Sequence, residues 1–166
     1  MTTFPEQFVG QVADPEFINN LTDEVTRLGT YVTSAYATWK PFTPTLTATP
    51  TSPNLGAGAS LTGRYRMAGS LLTAEYTIVW GSSGISVGSG IYRLSLPRPP
   101  AFGVKALGVL WVSHPSTLAQ QAGVCRIVGT GLEMIALDKV LSHALPWTWA
   151  AGDQIGAAIT YENEAI

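Results

Sequence analysis

The 166-residue chain contains 46% hydrophobic and only 12% charged residues, and its formal net charge is −2. Ordinary domains carry about 25% charged residues, so much of this surface must be Thr, Ser, Gly and backbone, or must lie against another chain. The charge balance excludes a broad nucleic-acid footprint, and we expect no membrane insertion because no signal peptide or long apolar run is visible. The single cysteine, Cys125, excludes an intrachain disulfide, fits synthesis in a reducing cytoplasm, and is predicted to be a buried core thiol.

The N-terminal segment has the clearest helical pattern. Asp14-Pro15-Glu16 combines an N-cap residue, a proline at the first helical position and an acid in the first turn. Apolar residues then recur in steps of three and four, as in a coiled-coil seam: Ile18, Leu21, Val25, Leu28, Val32, Ala35 and Trp39. Thr26 and Gly29 are weak helix formers, so this helix alone should be marginal in water. We expect partner helices, or else the chain's own C-terminal domain, to cover the seam, which is too short to fix a stoichiometry.

A proline-rich stretch follows the predicted stem. Pro41, Pro44, Pro50 and Pro53 lack a ladder donor and force the preceding residues to be extended. The pattern predicts an edge-like connection with one short strand near residues 45–49. The resulting domain division is an N-terminal anchor and helical stem over residues 1–39, a neck over 40–54 and a head over 55–166.

From residue 61 onward the pattern alternates strands and turns. The predicted strands are Leu61–Met67, Leu71–Trp80, Ser89–Leu96, Val104–Val112, Gly123–Val128, Leu132–Leu137 and Gln154–Tyr161. Leu72, Ala74, Tyr76, Ile78 and Trp80 place apolar side chains on one face of the second of these strands. Short strands at this spacing predict a mainly β fold, a β-sandwich head of jelly-roll type.

Several short motifs occur in a recognisable order. They are Trp39-Lys40-Pro41-Phe42-Thr43-Pro44-Thr45-Leu46, Asn54-Leu55-Gly56, Leu61-Thr62-Gly63-Arg64-Tyr65, Gly81-Ser82-Ser83-Gly84, Gly88-Ser89-Gly90, Ser95-Leu96-Pro97 and Pro146-Trp147-Thr148-Trp149-Ala150-Ala151-Gly152-Asp153. This order resembles a knob domain at the C-terminal end of minor tail and fibre-type proteins of tailed phages that infect actinobacteria. The resemblance covers residues 39–162 and implies a homotrimeric β-structured knob on a stem.

The resemblance and the stem together predict a non-enzymatic structural protein on the virion surface, made in the host cytoplasm. One placement is a tail fibre or minor tail knob that touches a host-surface glycan. The other is a capsid decoration protein or short head fibre, favoured by a stem of only about 35–40 Å. In both, the N-terminal segment binds other virion proteins, at the tail tip or the major capsid. A third alternative is a soluble carbohydrate-binding module, which would not need a heptad stem.

Candidate chemistry in the sequence is weak. Gly84-Ile85-Ser86-Val87-Gly88 matches the nucleophile elbow, but the residues after it predict a strand where the elbow requires a helix. His114 and His143 lie far apart in sequence with no metal-ligand spacing, so no metal and no cofactor is expected. A glycosidase uses a pair of carboxylates, and the isolated acids Glu75, Glu133 and Asp138 could in principle form such a pair. Nothing in the sequence brings two of them together.

Two segments are candidates for surface recognition. Trp147 and Trp149 are two residues apart, so on a strand they would share one face. They could stack on a sugar, or close a core or a subunit interface, and the bracketing turn residues favour the core or interface. Ser83 and Ser86 lie in a Gly/Ser loop that is either a recognition tip or a plain connection.

Overall fold

The computed structural model describes residues 15–35 and 38–164, and its side-chain description omits residue 17 and residues 30–35. The chain divides into two units, residues 1–36 and 37–166. The first contains helix α1, Pro15–Ala35. Its start agrees with the capping pattern, although Asp14 itself lies outside the described residues. Val32 and Ala35 lie outside the described side chains.

Trp39 is not part of the helix. It belongs to the second unit, where the guanidinium carbons of Arg64 and Arg66 lie 4.6 Å and 5.0 Å from the centre of its ring. Because Pro41 disfavours a helical residue before it, the chain becomes extended here and pairs with the sheet. The seam predicted from the heptad pattern therefore ends at or before Ala35.

The second unit is a ten-stranded antiparallel sheet. Its strands are β1 Lys40–Phe42, β2 Leu46–Thr51, β3 Ser60–Ala68, β4 Leu71–Val79, β5 Ser89–Ser95, β6 Leu107–His114, β7 Ala119–Val128, β8 Gly131–Ala136, β9 Lys139–Val140 and β10 Gln154–Glu162. Neighbours follow the order β1-β3-β4-β10-β6-β7-β8-β5-β2, and β9 pairs with β8. All seven strands predicted after residue 61 are present, whereas β9 has no counterpart in the prediction.

The prediction of a mainly β fold is confirmed, but the two-sheet sandwich is corrected to one curled sheet. Nine strands follow one hydrogen-bonded path and β9 joins it through β8, so all strands among the described residues belong to one sheet. Its two end strands, β1 and β2, are joined by only residues 43–45. That connection spans at most about 13–14 Å, so the sheet must curl until its ends approach each other.

Residues 40–54 do not form a separate neck. They belong to the same unit as the rest of the head, with β1 paired to β3 and β2 paired to β5. These are the two edges of the sheet, and proline is tolerated at an edge because a missing donor breaks no interior ladder. The proline pattern thus predicted the edge character correctly and the domain boundary incorrectly.

The core occupies the concave face of the sheet. The apolar face of β4 is buried as its alternation predicts, and the facing residues of β5, β6, β8 and β10 complete the cluster. Cys125 on β7 is fully buried, and burial raises the pKa of its thiol to about 11. Gly108 is required on β6, because an added Cβ would collide with the carbonyl oxygen of Ala158 on the neighbouring strand.

Candidate functional site

The described part of the helical seam is open to solvent. Ile18, Leu21, Val25 and Leu28 are 46–61% exposed. Singly exposed apolar residues are ordinary, but four at heptad spacing form a continuous stripe. Within the described residues, no other part of the chain packs against this apolar face of the helix.

Local contacts explain how the helix tolerates its threonines. The hydroxyl of Thr22 donates to the carbonyl of Ile18, and that of Thr26 donates to the carbonyl of Thr22, each at 2.8 Å. Such bonds back to residue i−4 satisfy the hydroxyl within the helix. Arg27 pairs with Glu24 one turn earlier and lowers the pKa of that carboxyl. None of these contacts covers the seam.

A second apolar surface lies on the convex face of the head. Leu107, Val109 and Trp111 alternate along β6, and Val124 on β7 is the register partner of Val109. These four residues, the outer strip, are 40–73% exposed. Beside them β10 presents Gly156 and Ala158, whose small size leaves a hollow of about 350 Å³. A contiguous apolar patch of this kind is typical of a protein–protein contact.

The two tryptophans near the C-terminus lie in the loop between β9 and β10, not on a strand. Trp149 is 3% exposed, stacks on Trp80 at a centroid distance of 4.5 Å, and donates its indole N–H to the carbonyl of Ser142 at 2.7 Å. Trp147 is partly buried and donates to Asp153 Oδ2 at 3.1 Å. Trp149 is therefore a core residue and cannot form half of a sugar-stacking platform.

A buried hydrogen-bond network holds this loop to the β6–β7 hairpin. Asp153 is fully buried, and its Oδ2 also accepts the backbone N–H of Ala150 at 2.8 Å. Its Oδ1 lies 2.5 Å from His114 Nδ1, and His114 Nε2 lies 3.1 Å from Ser116 Oγ. Sequence reasoning missed this network because 39 residues separate His114 from Asp153. The connectivity resembles that of a hydrolytic triad, but none of the four hollows described for this surface is lined by these residues.

The Gly/Ser loop is attached to the segment before β3. Ser83 O accepts the N–H of Ala57, while Ser86 and Asn54 exchange two backbone hydrogen bonds of 2.8 and 2.9 Å. The side chains of Ser83 and Ser86 are exposed. Strand β5 follows the loop, where a nucleophile elbow needs a helix. A recognition role for these two serines stays a prediction.

Glu75 and Glu133, two of the three acids considered for a glycosidase pair, lie on strands that are not neighbours in the sheet. Glu75 on β4 pairs with Arg64 at 2.7 Å. Glu133 on β8 lies four strands away in the sheet order, about 19 Å along the sheet. A glycosidase needs two carboxyl groups about 5–9.5 Å apart, whereas each of these carboxylates is paired with arginine.

Glu133 is instead the centre of a charge ladder. The register aligns Arg93 on β5 and Arg126 on β7 with Glu133 on the strand between them. The arginines reach its two oxygens at 2.7 Å and 3.0 Å. Burial alone would raise the pKa of Glu133, but the hydrogen bonds and charges of both arginines outweigh it and lower the pKa. One carboxylate thus faces two cations.

In the part of the chain that the structure describes, no group of three or more His, Cys, Asp or Glu side chains is placed to hold a metal ion. Across residues 15–35, the one described helix is not apolar enough to cross a bilayer.

No protein-family model and no curated protein matches the chain. Among solved structures, the chain is similar to the crystal structure of the Dettilon tailspike protein, with 17% sequence identity and a TM-score of 0.39. The match covers 76% of this chain and 24% of that one, so the chain spans about a quarter of the length of the protein it matches. A likeness of this extent says nothing of function.

Proposed function

We propose that the chain is a non-enzymatic structural protein on the outer surface of a tailed-phage virion. In this proposal three copies associate through the helical stem, and the head faces outward as a knob of tail-fibre or minor-tail type. The observation that carries it is the exposed heptad stripe of Ile18, Leu21, Val25 and Leu28 attached to a head that completes its own core. The proposed stoichiometry and virion setting rest on the sequence motifs that resemble phage tail knobs.

Energetics favour assembly through the stem. Burying each of these side chains contributes on the order of 1.5–3 kcal/mol. The head does not need them, because its buried cluster is built from strands and loops of residues 37–166. The outer strip gives the head a further apolar surface for contacts within the particle.

Removing residues 1–36 tests this proposal while leaving Trp39 and β1 in place. The shortened chain should fold, should be a monomer by light scattering where the full-length chain is expected to be a trimer, and should be absent from purified virions. The full-length chain expressed in parallel is the control. A shortened chain that still decorates virions at full occupancy would show that attachment runs through the head.

Capsid placement, as a decoration protein or short head fibre, is the alternative that the short stem favours. The 21-residue helix measures only about 32 Å, which suits a projection close to a shell. Labelling the chain and imaging the virion separates the two placements. A soluble, monomeric glycan-binding module is the outcome if the chain is found on no particle.

The proposal that the protein is not an enzyme can be tested by activity assays and by replacing two serines. Native protein should show no turnover of ester or glycoside panels above background. If it does, and if either Ser86→Ala or Ser116→Ala abolishes it, the proposal of a non-enzymatic protein fails.

A further inference from the structure

The convex face of the head has an open groove beside the charge ladder. Along β5, the side chains of Ser95, Arg93 and Ile91 lie on this face. Thr47 and Thr49 of the edge strand β2 are the register partners of Arg93 and Ile91. Thr45, just before β2, accepts the backbone N–H of Ser95. Arg93 stands between two hollows of about 460 Å³ and 400 Å³, and it lines both. From Ser95 to Ile91 the groove runs about 13–14 Å.

The charge ladder ends at the groove, where Arg93 is the member that lines both hollows. The guanidinium groups of Arg93 and Arg126 share the single carboxylate of Glu133, which leaves a local net charge of +1. The two arginine side chains are 47% and 48% exposed, whereas that of Glu133 is 6% exposed. Each guanidinium has five N–H donors and uses two of them on Glu133, so three remain for a ligand.

Among the residues that line the two hollows, Arg93 is the charged one. Thr45 and Thr47 line one side of the first hollow, and the turn at Gly129 and Thr130 lines the other. The second hollow adds apolar surface from Ala48 and Ile91. A charged donor flanked by hydroxyls and small apolar patches matches the surface of a sugar ring that bears an acidic group.

We infer that this groove binds an acidic glycan, with Arg93 donating to a carboxylate or phosphate and the threonine hydroxyls contacting the sugar hydroxyls. This assigns the host-surface contact of the proposed function to a groove that the tryptophan and serine candidates did not include. The inference rests on that proposed function for its biological setting only, because the binding is measured on the purified chain.

The direct test is calorimetric titration of the full-length chain with oligogalacturonate, a carboxylated glycan, and with a glycerol-phosphate oligomer. Neutral dextran is the control ligand. Binding of either acidic probe, without binding of dextran, supports the inference and tells which acidic group is preferred. If neither acidic probe binds, or if dextran binds equally well, the inference is overturned.

Arg93→Gln should weaken binding roughly 10–100-fold, the range expected for a charge-assisted hydrogen bond. Arg64→Gln is the matched control, because Arg64 is also a half-exposed arginine paired with a glutamate on the same sheet. Both variants lower the net charge by one, so an equal loss in both would reveal nonspecific charge attraction and refute the groove.

Two further variants keep the test independent of damage to the fold. Glu133→Gln removes the carboxylate that competes for the arginines, so it should strengthen binding several-fold. Gly131 lines the first hollow, so the Cβ of Gly131→Ala would occupy space beside Arg93 and should weaken binding several-fold. The new Cβ would lie 3.7 Å from Cβ and Cδ of Arg93, which is an ordinary contact that leaves the fold intact. Wild-type affinity in both variants would mean that the probe binds elsewhere.

The outcomes also separate this inference from the proposed function. A chain that binds acidic probes but is absent from virions would refute the virion role alone. A chain that is found on virions but binds neither probe would refute the groove alone.

Discussion

The apolar seam of the helix and the apolar core of the head differ in exposure to solvent. In the head, Leu72, Ile78, Trp80 and their neighbours are buried against other parts of the same unit. In the helix, the described seam residues are all exposed. Burial of these side chains stabilises the head without a partner, whereas the exposed seam of the helix would gain stability by packing against another surface. Four substitutions should distinguish the buried residues of the head from the exposed residues of the helix by their effect on the head's free energy of unfolding.

Trp149→Ala should destabilise the head by about 3–5 kcal/mol, because it removes a buried indole that stacks on Trp80. Chemical denaturation followed by circular dichroism measures the change. Trp147→Ala is the matched control. Because the ring of Trp147 is only partly buried, its loss should lower the free energy of unfolding clearly less. Equal losses in the two variants would contradict the assignment of Trp149 to the core.

Asp153→Asn should lower the free energy of unfolding of the head by about 1–3 kcal/mol. The amide group would place a donor where the buried carboxylate now accepts from Trp147 and Ala150 or contacts His114. Asp138→Asn is the control, since Asp138 is exposed in a turn with a φ of 61°, which asparagine adopts readily. Thermal unfolding should separate the two, and a stable Asp153→Asn variant would show that the network does not hold the loop.

Cys125 should make the head less stable at alkaline pH. Its folded pKa is raised to about 11 from an ordinary value of 9.0 by burial. The unfolded chain therefore loses its thiol proton first, so the stabilisation is complete below about pH 9 and is lost as the pH rises towards 11. Denaturation across this range should show a weaker alkaline loss in Cys125→Ala than in the native chain. Rapid labelling of the native thiol near neutral pH would contradict the burial itself.

Val25→Asp should leave the head's free energy of unfolding within about ±0.5 kcal/mol while dissociating the oligomer. The new charge lies on the exposed seam and touches no part of the head's buried cluster. Asn20→Asp adds the same charge at an exposed position off the heptad and should keep the oligomer. Light scattering at micromolar concentration distinguishes the two, and an oligomer that survives Val25→Asp would place the assembly contacts outside the stem.

Local sequence patterns were enough to predict the helix, one buried strand face and the proline-containing edge strands. Pro15 and the three–four spacing placed the helix, and the alternation from Leu72 to Trp80 placed a buried strand face. Prolines at 41 and 50 marked strands that became sheet edges. These features follow from periodicity and backbone chemistry, which act within a few residues.

The way in which those elements combine depends on contacts between residues far apart in the sequence. The order of strands depends on pairings between distant residues, so one curled sheet could not be told from a sandwich by alternation alone. For the same reason Arg93, Arg126 and Glu133 look like isolated surface charges in the sequence and become a ladder through the register of three strands. Trp149 was recognised as a candidate from its spacing, but its burial depends on Trp80, a residue 69 positions away whose side chain meets it only in the fold.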